Sequence, residues 1–182
     1  MGWTGTPPPF YPSAEHNARD RCALSEVLPQ LYLTNFKGGE SAESLKGVGC
    51  THVAAVGDEF VENSDNAAFG AMPLQFWNAD ITDDEHQGEA MADSLRSAAL
   101  FIKKAIDGGG TVVVHCAAGI SRSATVVLGY FLLYRKETLR EAFARVITAR
   151  PCVWPNEVPM TGDARTARRL IRLWMASRST PL

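Results

Sequence analysis

Residues 111–134 hold the pattern that most constrains how this chain can fold: a short β-branched run, a loop of small and polar residues, and a long apolar run. Residues 111–115 are Thr-Val-Val-Val-His and follow three glycines, which is typical of a strand covered on both faces. Residues 125–134 are apolar nearly all round, which predicts a helix buried in the middle of the domain. The segment therefore predicts a buried strand, a tight loop and a buried helix in direct succession.

The rest of the chain alternates between strand-like and helix-like segments. Strand-like runs lie at residues 30–33, 52–56 and 74–77, and apolar residues at three- and four-residue spacing predict a helix over residues 91–106. Thr138 can cap a further helix, which the Arg150-Pro151 pair ends. This alternation predicts an α/β fold with the strand at residues 111–115 in the centre of the sheet.

The length of the chain favours one ordinary domain. Its 182 residues are enough to bury most of the apolar surface without disulfides or metal. Four prolines among the first twelve residues predict an extended tail. We therefore divide the chain into a Pro-rich tail over residues 1–24 and one folded domain over residues 25–178.

The charge balance indicates no global attraction to polyanions. Lys and Arg number 18 against 20 Asp and Glu, a net charge of -2, so we expect neither nucleic acid nor a membrane as a partner. No stretch approaches the roughly 20 apolar residues of a membrane span. One basic stretch fits either a solvated helix face or a surface for an anionic partner; its members are Arg165, Arg168, Arg169, Arg172 and Arg178.

Four cysteines are scattered along the chain and form no CxxC pair: Cys22, Cys50, Cys116 and Cys152. The sequence therefore indicates neither a zinc site nor a redox centre, and we expect no metal and no cofactor. Reduced thiols fit the cytoplasm, with the nucleus as a second compartment. Cys50 is expected to pack in the core, and whether Cys22 or Cys152 pairs with Cys116 under oxidation stays open.

The loop between the predicted central strand and buried helix carries the chemistry. Residues 115–123 are His-Cys-Ala-Ala-Gly-Ile-Ser-Arg-Ser. A Cys-x5-Arg spacing alone is a weak signal, but the histidine, the central glycine and the two serines together make the pattern specific. A loop wrapped at a helix N-terminus points backbone N–H groups inward and adds the positive end of the helix dipole, which favours a phosphate dianion. The residues expected to bind phosphate are Ala117, Ala118, Gly119, Ile120, Ser121 and Arg122.

Cys116 and Arg122 are the candidate catalytic residues of this loop. The positive field of the loop favours thiolate over thiol at Cys116, and the thiolate is the nucleophilic form. Arg122 offers planar, bidentate donors to two phosphate oxygens, a geometry that lysine does not reproduce. The expected chemistry is attack of Cys116 on phosphorus, followed by hydrolysis of the phosphocysteine by water.

The segment HCAAGISRSAT resembles the signature of dual-specificity phosphatases, in particular the small, atypical members of this branch of the cysteine phosphatase superfamily. The likeness covers residues 25–172, with VLPQLYLTN, VGCTHVAAV and SAALFIKKAI in the family's order. It implies an α/β fold with a central, mostly parallel, twisted sheet of about five strands flanked by helices. It also implies that Ser123 assists hydrolysis of the phosphoenzyme, that His115 supports the surroundings of Cys116, and that Asn156 braces the phosphate loop.

The same resemblance implies an aspartate that protonates the leaving oxygen, on a loop after an earlier strand. Here that loop covers residues 78–86 and offers several carboxylates. Measured back from the predicted helix at residues 91–106, the family's position falls nearest Asp83 or Asp84. We assign Asp83 as the general acid, with Asp84 as the close alternative and Asp80 as a structural acid at the strand end.

The expected function is hydrolysis of phosphotyrosine and phosphoserine or phosphothreonine in a protein substrate. A kinase is one candidate substrate, and we expect the enzyme to be a monomer. One alternative is a non-protein substrate, either a phosphoinositide or an RNA 5' end. The neutral side chains of Ala117, Ala118 and Ile120 count against a polyanionic head group, which would favour lysines there. The other alternative is a phosphate-binding scaffold with weak turnover.

Overall fold

The computed structural model of the chain describes residues 23–57, 69, 72–79 and 88–153. Some of the sequence-based predictions lie outside these residues: most of the tail over residues 1–24, Cys22, Asp80, Asp83, Asp84, Asn156 and the basic stretch over residues 165–178. These predictions, and the domain division with them, stay predictions.

Strands and helices alternate along the described residues. The strands are β1 (Ser25–Leu28), β2 (Leu31–Asn35), β3 (His52–Val56), β4 (Gln75–Ala79) and β5 (Val112–Cys116). The helices are α1 (Phe36–Gly39), α2 (Ala42–Gly47), α3 (Gly88–Asp107), α4 (Arg122–Tyr130) and α5 (Leu139–Ala149), and a π-helical segment (Phe131–Arg135) continues α4. None of the helices within the described residues combines the length and the apolar character needed to cross a bilayer.

The five strands form one sheet in the order β1-β2-β5-β3-β4. β2, β5, β3 and β4 pair in parallel, whereas β1 pairs antiparallel with β2 at one edge. β5 is the third of the five strands, so the β-branched run at residues 111–115 is central, as predicted. The predicted α/β class and the mostly parallel sheet of about five strands are confirmed.

β5 is buried on both faces, which explains its uninterrupted β-branched sequence. Val112, Val114 and Cys116 belong to the core formed with α3, α4 and α5, whereas Val113 packs with Leu45 of α2 in a second core. Successive side chains of a strand point to opposite faces of the sheet. Each fully buried valine or leucine contributes about 1.5–3 kcal/mol relative to an exposed one. Packing on both faces therefore holds the strand that ends at Cys116.

Thr138 caps α5, as the sequence predicts, and Glu141 completes a capping box with it. The backbone N–H and the hydroxyl of Thr138 donate to the Glu141 carboxylate over 2.8 and 2.7 Å. These hydrogen bonds hold the pKa of the Glu141 carboxyl below its usual range. Arg150 follows the C-terminus of α5, and its backbone N–H donates to the Val146 carbonyl over 2.9 Å. The helix therefore ends at a fixed point, with Arg150 as its C-cap.

The structure differs from the sequence-based expectation in three places. β1, α1 and α2 were not predicted, because elements of four to six residues are too short to display a helical or strand period. The buried helix begins at Arg122, three residues earlier than predicted, because its first turn is made of loop-motif residues. Its last turn widens into the π-helical segment Phe131–Arg135.

Candidate active site

The carboxyl ends of the parallel strands meet at one edge of the sheet, and Cys116 lies there. It is the last residue of β5, and the parallel register places it directly beside Asn35, the last residue of β2. In open α/β sheets, ligands bind outside the carboxyl ends of the strands. The loop of residues 117–121 leaves this edge and leads into α4.

The Cys116 thiol lies at the base of this loop and is almost completely enclosed, with 2% of the residue exposed. Its Sγ accepts a hydrogen bond from the Gly119 N–H over 3.3 Å. The Ser123 hydroxyl lies 3.1 Å from the same Sγ, and Ser123 itself is fully buried in the first turn of α4. A backbone N–H and a hydroxyl thus converge on one sulfur.

The N-terminus of α4 faces the loop. The Ser121 carbonyl accepts the first helical hydrogen bond, from the Thr125 N–H over 2.9 Å, and also one from the Thr125 hydroxyl over 3.1 Å. The first N–H groups of a helix have no partner within the helix, and they carry the positive end of its dipole. Arg122 is the first residue of α4 and is half-buried. The arrangement suits a bound oxyanion.

Gly119 sits where the loop turns against β2. Its φ is +64°, and a Cβ added there would lie 2.5 Å from the Thr34 carbonyl oxygen and 2.6 Å from the Asn35 nitrogen. Only glycine adopts this conformation in this space without strain. On the same side, the Phe36 N–H donates to the Ala117 carbonyl over 3.3 Å. The turn from β2 into α1 therefore supports the loop along its outer edge.

Arg150 also supports the loop, a contact that no sequence pattern predicts. The residue is 2% exposed, and its Nε donates to the Gly119 carbonyl over 2.8 Å. From sequence, the Arg150-Pro151 pair predicts only the end of a helix. The local sequence does not distinguish a buried arginine from a solvated one, and the partner is 31 residues away in sequence.

The structure brings the predicted loop residues together and places His115 on the strand before them. The loop residues 117–121 and Arg122 lie together between β5 and α4, with Ala118 exposed and Gly119 buried. His115 is buried one residue before Cys116 on β5, and its ring touches the position that a Gly39 Cβ would occupy. Because strand side chains alternate, His115 and Cys116 point to opposite faces of the sheet. Asp83 and Asn156 lie outside the described residues, so their roles stay predictions.

The described cysteines are free thiols: Cys50, Cys116 and Cys152. Cys50 packs in the core beside Val53 and Val113, as the sequence predicts. Burial raises the pKa of the Cys50 thiol to about 11, so this cysteine is neutral at physiological pH. Within the described residues, no three side chains of the His, Cys, Asp or Glu types cluster as metal ligands would.

Comparisons with known proteins give one consistent result. The sequence model of the family described as "Dual specificity phosphatase, catalytic domain" matches residues 31–161. The chain is similar to Dual specificity protein phosphatase 22-B of Danio rerio, with 32% identity over 133 residues that cover 73% of this chain and 68% of that protein. It is 31% identical to MAP kinase phosphatase with leucine-rich repeats protein 3 of Dictyostelium discoideum, covering 72% of this chain but only 14% of that longer protein.

Solved structures agree with the sequence comparison. The crystal structure of human DUSP28 superimposes with a TM-score of 0.68 at 25% identity, covering 86% of this chain and 95% of that one. The two chains therefore share the same fold over most of their lengths.

Proposed function

This chain belongs to the dual specificity phosphatase catalytic-domain family, and from that premise we propose that it is a phosphoprotein phosphatase acting on phosphotyrosine and phosphoserine or phosphothreonine. One observation carries the proposal. The Cys116 Sγ lies at the carboxyl end of the central strand, 3.3 Å from the Gly119 nitrogen and 3.1 Å from the Ser123 hydroxyl oxygen. A cysteine in such a position is a nucleophile at the floor of an oxyanion site.

The first proposed step is a displacement at phosphorus. The loop N–H groups and Arg122 bind the phosphoryl oxygens, and the Cys116 thiolate attacks phosphorus in line with the leaving oxygen. The S–P bond forms while the P–O bond to the substrate breaks, and the leaving oxygen takes a proton from a general acid. Arg122 and the N-terminus of α4 stabilise the charge on the equatorial oxygens.

The second proposed step returns the thiolate. Water attacks the phosphocysteine, the S–P bond breaks, and inorganic phosphate leaves. Cys116 departs as an anion, and the Ser123 hydroxyl, 3.1 Å from Sγ, can donate a hydrogen bond to it. This geometry supports the role that family resemblance implies for Ser123, because the developing negative charge on sulfur gains a charge-assisted hydrogen bond.

We propose Asp83 as the general acid of the first step. An acid that must be protonated loses its effect as the pH rises, so the rate of wild-type phosphate release should fall at alkaline pH. Asp83→Asn is expected to remove this alkaline limb of the kcat profile and to lower kcat by about 10²-fold. The loss should be larger for an alkyl phosphate than for 4-nitrophenyl phosphate, whose leaving group needs less protonation. Asp84→Asn is the matched control, and an unchanged Asp83→Asn profile would transfer the role to Asp84 or Asp80.

The surroundings of the loop support a protein substrate. The loop adds no positive charge beyond that of Arg122, because Ala117, Ala118 and Ile120 are neutral. A single phosphorylated side chain needs no further positive charge, whereas a polyanionic head group would favour lysines at these positions. A relative named as a MAP kinase phosphatase makes a phosphorylated kinase a candidate substrate. We further propose that the protein acts as a monomer in the cytoplasm or the nucleus, where Cys116 would stay reduced.

The proposed function predicts turnover of a simple aryl phosphate. Wild-type protein should release 4-nitrophenol from 4-nitrophenyl phosphate in the presence of EDTA, because the loop and Arg122 neutralise the phosphoryl charge. Vanadate should inhibit it competitively as an oxyanion of matching geometry. A panel of phosphotyrosine and phosphothreonine peptides, a phosphoinositide and a 5'-triphosphate RNA then identifies the substrate class. Tight phosphopeptide binding without any phosphate release would contradict the proposal and favour a scaffold.

A further inference from the structure

Arg150 is the largest fully buried side chain in the described part of the chain, and nothing in the proposed chemistry uses it. It lies at the C-terminal end of α5, outside the loop motif. Burial of a charged side chain is costly unless hydrogen bonds compensate. Where its hydrogen bonds go therefore indicates what the buried charge does.

One of these hydrogen bonds reaches the phosphate loop. Arg150 Nε donates to the Gly119 carbonyl over 2.8 Å, and both groups are buried. In a trans peptide, the carbonyl and the following N–H point in opposite directions. Holding the Gly119 carbonyl towards Arg150 therefore turns the Ile120 N–H away from Arg150. The preceding N–H, that of Gly119, already points at the Cys116 Sγ.

The other end of the guanidinium is held by the start of the sheet. Its Nη1 donates to the Ala23 carbonyl over 3.3 Å and to the Ser25 hydroxyl over 3.2 Å. The Thr34 hydroxyl on β2 donates to the same Ala23 carbonyl over 3.1 Å. The planar guanidinium is thus fixed at two places, so Nε meets the loop in one defined orientation.

We propose that Arg150 is a positioning residue for the phosphate loop: it orients the 119–120 peptide so that the Ile120 N–H is presented to the bound phosphoryl group. The inference rests on the proposed function, because it assigns a task to a residue beneath the same loop. Positioning of this kind needs no contact between Arg150 and the substrate. Arg150 acts through one backbone carbonyl.

Two substitutions separate the position of the donor from the positive charge. Arg150→Lys keeps the charge but puts a methylene where Nε stands. Arg150→Gln loses the charge but puts an amide N–H at the same number of bonds from the backbone. A role of the charge alone predicts that Lys is the better replacement, whereas positioning through Nε predicts that Gln is.

The probe is tungstate, an oxyanion whose binding can be measured by calorimetry without any turnover. We expect Arg150→Lys to bind tungstate about tenfold more weakly than wild type, and Arg150→Gln to stay within about threefold. For 4-nitrophenyl phosphate, Arg150→Lys should raise KM more than it lowers kcat, because the Ile120 N–H contacts the phosphoryl group before and during reaction. A residue that only stabilises the fold would not raise KM more than it lowers kcat.

Val146→Ala is the matched control for stability. Val146 is fully buried one turn earlier on α5, so truncating it loosens the same helix without touching Gly119. The proposal is overturned if Arg150→Lys binds tungstate as tightly as Val146→Ala, or if Arg150→Gln is tenfold weaker than wild type. Should Arg150→Lys not fold, the Gln comparison decides alone.

The same measurements distinguish failure of this inference from failure of the proposed function. Wild-type protein that binds tungstate but releases no phosphate from any substrate would contradict the proposed function and leave the positioning role testable by affinity. Wild-type protein that binds no tungstate would overturn both.

Discussion

Cys116→Ser is expected to abolish hydrolysis of 4-nitrophenyl phosphate, lowering kcat by at least about 10³-fold. The serine hydroxyl stays protonated at neutral pH, so no anionic nucleophile remains at the floor of the loop. The change is small in volume, and Cys116 is enclosed with 2% of the residue exposed, so the packing beneath β5 should persist. The measurement is steady-state kinetics on protein whose fold has been checked by circular dichroism.

Binding should survive this substitution. The Gly119 N–H and the Ser123 hydroxyl, which now face sulfur over 3.3 and 3.1 Å, can face a serine oxygen instead. Arg122 and the N-terminus of α4 are unchanged. Tungstate should therefore still raise the Tm of the variant, and the variant should retain phosphopeptides that it cannot hydrolyse. This separates a loss of chemistry from a loss of fold.

Cys50→Ser is the matched control. Cys50 is also buried, and its Sγ donates to the His52 carbonyl over 3.2 Å, a hydrogen bond that a serine hydroxyl can replace. Because burial raises the pKa of this thiol to about 11, Cys50 is protonated at the assay pH and supplies no nucleophile. Its replacement should leave kcat within about twofold of wild type. Comparable rates for Cys116→Ser and wild type would remove the phosphocysteine step from the mechanism.

Gly119→Ala is expected to lower kcat/KM by about 10²-fold, because a loop displaced by an ångström no longer aligns its donors with the phosphoryl group. The methyl group would lie 2.5 Å from the Thr34 carbonyl oxygen and 2.6 Å from the Asn35 nitrogen, and these are backbone atoms that no side-chain rotation can move away. The φ of +64° adds strain of about 1–2 kcal/mol for any residue with a Cβ. The checks are the tungstate dissociation constant, kcat/KM and the free energy of unfolding.

Gly49→Ala separates the two causes. Gly49 has nearly the same φ, +63°, but a Cβ there meets nothing within 4 Å. This variant should lose about 1 kcal/mol of stability through backbone strain and keep its full activity. If both alanine variants lost the same stability and neither lost activity, contact with Thr34 would play no part in shaping the loop.

Much of the fold could be predicted from local patterns. The run at residues 111–115 is β-branched without interruption because β5 is covered on both faces, with Val112 and Val114 in one core and Val113 in the other. The helix at residues 125–134 is apolar all round because α4 is buried along its length from Ser123 to Tyr130. An element buried on all sides has an uninterrupted apolar sequence that can be recognised, whereas a short element at the edge of the domain has no such pattern.

The edges of the domain were harder to predict. β1 consists of four residues, Ser-Glu-Val-Leu. It is a strand because it pairs with β2, with Ser25 opposite Leu33. Its backbone hydrogen bonds belong to the tertiary structure, and its side chains show no clear alternation. α1 and α2 were hard to predict because they are too short to be stable on their own. Local caps at Asn35 and Ser41, together with packing, stabilise them.

The site divides in the same way. The motif at residues 115–123 predicted Cys116, Arg122 and the loop because their spacing is local, and the nucleophile and the phosphate-binding groups all fall within nine residues. What shapes the loop comes from distant parts of the chain: Thr34 from β2, and Arg150 from the end of α5. No local pattern records these contacts.

The sequence by itself determined the α/β class and the central strand, and it predicted the candidate nucleophile and the loop that would hold a phosphoryl group. The candidate site depends on residue type and spacing within one short segment, and the class depends on local periods along the chain. Only the tertiary structure decided that the Gly119 carbonyl faces a buried guanidinium, that Gly119 lies against the end of β2, and that His115 and Cys116 point to opposite faces of the sheet. These features follow from how β1, β2, β5 and α5 pack together, and the positions of atoms so far apart in sequence are set by burial and backbone hydrogen bonding.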